Sequence, residues 1–229
     1  MNGTNASLTE EQLAFLLSVD SPTIANAIEP LQVRDRAEGY IGGNVACQFP
    51  ELGPMVGRAL TVSVRDTPGV SGGGAGYWDL WSALDALSEP TVIVMADATG
   101  APERIAFAGE IMCSLAKRLG AVGIVTDGAL RDIPEARAMG FHYFMRFGVV
   151  SHSWFDLTDV GAPVTIDGQR VASGDLLHGD SNGVVIIPDE TLAALPAAVR
   201  RVRDREKVLL GQINGPNFDF ANFRSGSGY

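Results

Sequence analysis

The chain is short of cysteine, lysine and long apolar runs, and each shortage closes off a class of chemistry. Its two cysteines, Cys47 and Cys113, lie far apart with no C-x-x-C spacing. Neither a disulfide framework nor a thiolate zinc site is indicated, and both read as core residues in a reducing compartment. Its only lysines, Lys117 and Lys207, sit in charged helical surroundings. Schiff-base chemistry needs a desolvated lysine with a lowered pKa, and neither position offers one. Basic residues number 17 against 27 acidic ones, a net charge of −10 with no basic cluster, so no nucleic-acid backbone and no anionic membrane is expected as a partner. The opening MNGTNASLTEEQ lacks the regions of a secretory signal, and no apolar run approaches the length of a membrane span. The expected location is cytoplasmic.

What is present is a chain of 229 residues with 46% hydrophobic content, enough for one substantial domain over 1–229. A helical lead occupies about residues 8–30. In it Thr9 caps one helix, with Gln12 returning the bond, and Ser21 caps the next, with Pro22 at its first position. ALTVSVRD (59–66) alternates as a strand, and TVIVMAD (91–97) is a near-continuous buried one. Between them a glycine-rich loop leads into a helix but lacks the Lys and Ser/Thr of a phosphate-binding loop. A helix (109–120), a strand VGIVTD, a helix from about Pro134 to Met139 and a strand near His142–Phe147 follow. Residues 163–188 then read as short strands joined by Asp-Gly and Asn-Gly turns. A charged helix and tail close the chain over about 189–229. Interleaved strands and helices, with an antiparallel portion late, give an α/β class with mixed sheets.

The chemistry concentrates in GIVTDGALRDIPEA (123–136) and in the helix beginning at Gly109-Glu110. Twenty residues separate Glu110 from Arg131, about one helix, a turn and a strand, which returns the chain to the same sheet edge. Ligands of open α/β sheets collect at such carboxyl ends. There Glu110 and Asp132 would offer oxygens to a hard cation, Mg2+ or Mn2+ rather than zinc. Arg131 would face an anionic group, and the amides at the helix start would share it. An Arg-Asp pair after a strand is equally a salt bridge with a helix cap. Asp127 and Gly128 read as shaping the turn, Asp180 as capping a loop, and His142 and His152 as structural or peripheral, since their spacing suits no metal.

The pattern G-E-x20-R-D-x2-E, from Gly109 and Glu110 through Arg131 and Asp132 to Glu135, resembles the signature of the class II pyruvate aldolases. These cleave 4-hydroxy-4-methyl-2-oxoglutarate and 4-carboxy-4-hydroxy-2-oxoadipate, and they share a superfamily with the regulator of ribonuclease activity A. DSPTIANAI, GRALTVSV, GAVGIVTDGALRD and GAPVTIDGQRVASGDLLHGDSNGVVIIP fall in the family's order, so the resemblance covers roughly residues 15–211. It implies an α-β-β-α sandwich of the swivelling phosphohistidine-domain type, assembled as a trimer or hexamer with sites between subunits. It also implies metal-dependent retro-aldol cleavage of a 4-hydroxy-2-oxo acid to pyruvate, with oxaloacetate decarboxylation as a side activity. Carried over, Asp132 ligates the metal and Glu110, where the aldolases often have Asp, holds water in its shell. Arg131 contacts the keto acid, and the amides of Ile111 and Met112 take the pyruvyl carboxylate. Glu206 is the match to a carboxylate supplied by the adjacent subunit. Loops such as 67–77 would contact the rest of the substrate. The alternative within the superfamily is a non-catalytic protein that binds a ribonuclease.

Overall fold

The computed structural model describes residues 7–67, 69 and 75–226. Most of the glycine-rich loop expected to touch substrate lies outside them, as do the chain ends at 1–6 and 227–229. Helix α1 (Glu10–Leu16) begins at the expected reciprocal box: Thr9 Oγ1 accepts from Gln12 N at 3.1 Å, and Gln12 Oε1 accepts from Thr9 N at 2.9 Å. Helix α2 (Ser21–Ile28) corrects the second cap. Asp20 Oδ1 accepts from Thr23 N at 2.9 Å, while the Ser21 hydroxyl is engaged by His178 Nδ1 at 2.8 Å. A buried imidazole competes for the serine oxygen, and the aspartate before it takes over the cap. Both helices fall well short of the ~12–15 residues that persist alone in water. Burial of Leu16, Ile24, Ala27 and Ile28 holds them instead.

Next along the chain are β1 (Ala46–Cys47), β2 (Met55–Asp66), α3 (Ala75–Asp85), β3 (Thr91–Asp97), β4 (Ala106–Ala108), α4 (Glu110–Arg118), β5 (Ala121–Leu130), α5 (Ile133–Met139) and β6 (His142–Gly148). Strands β2, β3, β5 and β6 pair in parallel in that spatial order. Their two faces feed different clusters. Ile93 and Met95 pack with Leu80, Phe107, Cys113 and Tyr143 under α3 and α4. Val92 and Val94 pack with Ile41, Val45, Phe144 and Leu177 inside the curl of the sheet. Burial on both sides is why these strands read as continuous apolar runs.

The rest is antiparallel: β7 (Phe155–Thr158), β8 (Val164–Ile166), β9 (Gln169–Val171), β10 (Leu176–Asp180) and β11 (Gly183–Ile187). Strand β10 pairs with β2 and β11 with β10, while β7 extends the far end of β2. Strands β8 and β9 form a separate ribbon packed into the inner cluster. The segment before β1 then joins the two sheet edges. Ile41 N donates to Val184 O at 2.9 Å on β11, and six residues on Cys47 pairs with Phe144 of β6. The result is a mixed α/β fold with a nearly closed, barrel-like sheet. The class is the expected one, but the strands form a continuous curl, and the pairing does not resolve into the two stacked sheets of a sandwich. Helices α6 (Leu195–Ile213) and α7 (Phe220–Gly226) finish the described chain. Among the described residues no helix is long and apolar enough to cross a membrane.

Asp127 and Gly128 are a second correction, since they lie within β5 and form no turn. Pairing between β5 and β6 shifts register between Thr126 and Ala129. Asp127 Oδ1 accepts from Asp97 N at 2.8 Å, and a Cβ on Gly128 would stand 2.0 Å from the buried Phe107 ring. The glycine here serves close packing under an aromatic ring, as isolated strand glycines often do. Asp180 does more than cap its loop. One carboxylate oxygen accepts from Asn182 N at 2.7 Å, and the other reaches across the fold to Ser21 N at 2.7 Å.

His178 is wholly buried, with Nε2 donating to Leu16 O at 3.1 Å and Nδ1 accepting from the Ser21 hydroxyl. Burial pushes its pKa down, and the same cause lowers that of His142. The unfolded chain therefore binds protons that the native state refuses. Stability is complete above about pH 6.5 and falls with decreasing pH below it, by up to ~1.4 kcal/mol per pH unit for each histidine. Urea midpoints measured from pH 7.5 to 5.5 should fall, and His178→Asn should flatten the slope. A wild-type midpoint that does not change over this range would contradict the assignment.

Candidate active site

Strands β4 and β5 are parallel, with Ala108 paired to Leu130, so their carboxyl ends finish side by side. Arg131 N donates to Ala108 O at 3.1 Å and locks the next step of that register. The backbone thus brings Gly109-Glu110 against Arg131-Asp132, the convergence expected from the spacing. Asp132 Oδ2 accepts from Glu110 N at 2.8 Å and lies 3.6 Å from Arg131 Nε. Asp132 precedes α5 without capping it by its side chain. It caps α4 instead, whose own N-cap, Gly109, has no side chain to do so.

The contact is close enough that any side chain at 109 would displace it: a Cβ there would stand 2.4 Å from Asp132 Oδ2 and 2.8 Å from Arg131 Nε. Asp132 adopts a left-handed conformation, φ 55° and ψ 45°, at a cost of about 1–2 kcal/mol for a non-glycine residue. A cap of this kind contributes about 1 kcal/mol. The ion pair, with both side chains more than a third exposed, adds ~0–1 kcal/mol. Terms of similar size and opposite sign leave the structural reading, salt bridge plus cap, with little net stabilisation to account for the arrangement.

The amides of Ile111 and Met112 open α4 and have no intrahelical acceptor. Behind the corner, Tyr143 Oη donates to Arg131 O at 3.2 Å and receives the Cys113 thiol at 3.0 Å. Burial pushes that thiol up to about 11 and the phenol well above its ordinary value. Both therefore remain protonated and keep the Cys113–Tyr143–Arg131 chain intact. Sequence reasoning missed Tyr143, whose position on β6 beside β5 was the available signal.

The corner opens into a cleft of about 260 Å³ whose walls include Tyr77, Phe107, Phe155 and His152 besides Arg131 and Asp132. His152, expected to be peripheral, lines it. Larger grooves lie between α2 and α6, where Glu29, Arg36, Arg201, Arg205 and Glu206 gather, and along residues 211–226, and neither is lined by residues of the β4–β5 edge. Glu206 borders the first of these, away from the corner in the same chain. Glu135 is exposed on the first turn of α5 and does not line the cleft. Among the described residues no three His, Cys, Asp or Glu side chains group as a ready metal site. The corner does fit a hard cation that keeps water or substrate ligands. Its donors are carboxylate oxygens, and Asp132 Oδ1 accepts no hydrogen bond from the described residues. One or two carboxylates is the usual protein share at a magnesium ion.

A family model described as RraA-like, Aldolase/RraA, matches residues 21–186. The chain belongs to the RraA-like family. The match takes in both halves of the corner, from β4 through α5. Among curated relatives, a protein of Halalkalibacterium halodurans named "Putative 4-hydroxy-4-methyl-2-oxoglutarate aldolase" is 35% identical over 137 residues, covering 58% of this chain and 60% of that one. The chain spans 33% to 60% of the length of the curated relatives it matches. Two solved structures show the same RraA-like fold. An uncharacterized protein from Pseudomonas syringae superposes with a TM-score of 0.75 at 23% identity, over 98% of each chain. RraAS2 of Streptomyces coelicolor, described as an unusual member of the RNase ES inhibitor RraA protein family, gives 0.68 at 22% identity, over 87% of this chain and 94% of that one.

Proposed function

We propose that this protein is a class II aldolase, which cleaves a 4-hydroxy-2-oxo di- or tricarboxylic acid to pyruvate and a second keto acid and decarboxylates oxaloacetate as a side activity. The observation that carries this reading is the corner itself, where a carboxylate, a guanidinium and open helix amides share one edge of the sheet. Asp132, with Glu110 through water, would hold Mg2+ or Mn2+, and such an ion supplies Lewis-acid polarisation of the 2-keto group. Glu135 and, from a second copy, Glu206 are the further carboxylates available to it. The amides of Ile111 and Met112 take the pyruvyl carboxylate at the positive end of α4. Arg131 balances the negative charge that develops as the C3–C4 bond breaks. Lysine chemistry finds no support, because Lys117 and Lys207 are exposed and Lys117 donates to Met139 O.

Exposed large apolar side chains, Ile111 in the cleft lining at 85% and Val150 two residues before His152 at 92% exposure, favour a covering second copy, in a homotrimer or hexamer. The substrate is a small, highly charged acid and the medium cytoplasmic. Purified protein with magnesium should release pyruvate from 4-hydroxy-4-methyl-2-oxoglutarate in a coupled lactate dehydrogenase assay, and EDTA should stop it by at least 100-fold until metal is restored. Turnover indifferent to EDTA would remove the metal. No turnover on any keto acid, together with inhibition of a ribonuclease, would favour the regulator reading.

A further inference from the structure

Retro-aldol cleavage requires a group that takes the proton from the C4 hydroxyl, and the cleft offers few. Resting on the aldolase reading, we infer that His152 is this general base. Arg131 has no acceptor atom. The Tyr77 phenol is held protonated by burial and by the nearby Asp156. Glu110 and Asp132 are the carboxylates committed to the cation and the α4 cap. Among the described residues that line the cleft, His152 is the remaining side-chain proton acceptor.

Its placement suits the role. The loop after β6 that carries it is tied on both sides, by Ala106 N donating to Ser151 O at 3.0 Å and by Thr67 N donating to Trp154 O at 2.9 Å. The first tie fastens the loop to β4, the strand that leads directly into Gly109. His152 Nδ1 lies 3.3 Å from Ser153 O. A carbonyl oxygen only accepts, so the proton sits on Nδ1 and the lone pair on Nε2. Nε2 takes the hydroxyl proton, the O–H electron pair forms the new carbonyl at C4, the C3–C4 pair moves into the C2–C3 bond, and the C2 carbonyl π pair moves onto its oxygen to give the pyruvate enolate. Water then protonates C3, and the imidazolium neutralises the hydroxide left behind, restoring the starting state.

Oxaloacetate decarboxylation passes through the same enolate but has no hydroxyl proton to remove, so the two reactions separate the base from the rest of the site. His152→Asn keeps an N–H for Ser153 O and has no basic nitrogen. Assayed with magnesium, it should lose at least 100-fold in kcat on 4-hydroxy-4-methyl-2-oxoglutarate, within the range for removal of a general base. KM for that substrate and turnover of oxaloacetate should stay within about threefold of wild type. His152→Gln should behave alike. Equal loss of both activities, or loss of neither, overturns the assignment while leaving the aldolase reading standing. Wild-type protein inactive on both substrates overturns the aldolase reading and this assignment with it.

Discussion

Asp132→Ala is expected to lower pyruvate release by two to three orders of magnitude in a protein that remains folded. The activity figure follows from removing a preorganised charge at the reacting centre, typically on the order of 10²- to 10³-fold. The structural cost is smaller. The α4 cap at Glu110 N is lost, and alanine is less tolerant than aspartate of the left-handed conformation at 132. Together these amount to roughly 2 kcal/mol, against a usual margin of about 5–15 kcal/mol. Asp132→Asn separates the two effects, because its side-chain oxygen still accepts from Glu110 N and asparagine tolerates the left-handed region. It should melt near wild type and be nearly as inactive as the alanine variant. Full turnover by Asp132→Asn would show that the charge at 132 is not needed, and the proposed metal ligand would have to be sought elsewhere.

Gly109→Ala should inactivate almost as strongly without altering any group that carries chemistry. The backbone there, at φ −144°, suits alanine, so no torsional penalty enters. The added methyl instead competes for the space of Asp132 Oδ2 and Arg131 Nε, at 2.4 and 2.8 Å. Both side chains are more than a third exposed and can move outward, so the melting temperature should change by only a few degrees. A displacement of about 1 Å in a positioning group can cost on the order of 10²-fold in rate. Steady-state kinetics beside a thermal melt decide the matter. Normal kcat in a well-folded Gly109→Ala protein would mean that the 131–132 corner is not the reacting centre.

Much of this arrangement is legible in the sequence where the determinants are local. The Thr9–Gln12 box needs only a short stretch of chain, and the run at 91–97 matches β3 residue for residue because a strand buried on both faces must be apolar throughout. The corner itself is legible from spacing, since one helix, turn and strand return the chain to the same edge. What stays hidden depends on partners distant in sequence. Asp20 displaces Ser21 as a cap because His178 lies against the serine, 157 positions away. Asp127-Gly128 imitates a turn, yet a ring on β4 and an amide on β3 make it part of a strand. His152 looks peripheral because its distance from His142 fits no metal. Only the folding of its loop against β4 brings it to the cleft.

The segment 40–47 lies against β11 at its start and β6 at its finish. It occupies hydrogen-bonding groups on both outer strands that would otherwise be available to a foreign chain, a recognised route to aggregation. Eight residues with hardly any regular structure of their own thus act as a clasp. A cut within 40–47 would release two sticky margins at once, and harm to solubility there should precede harm to the distant cleft.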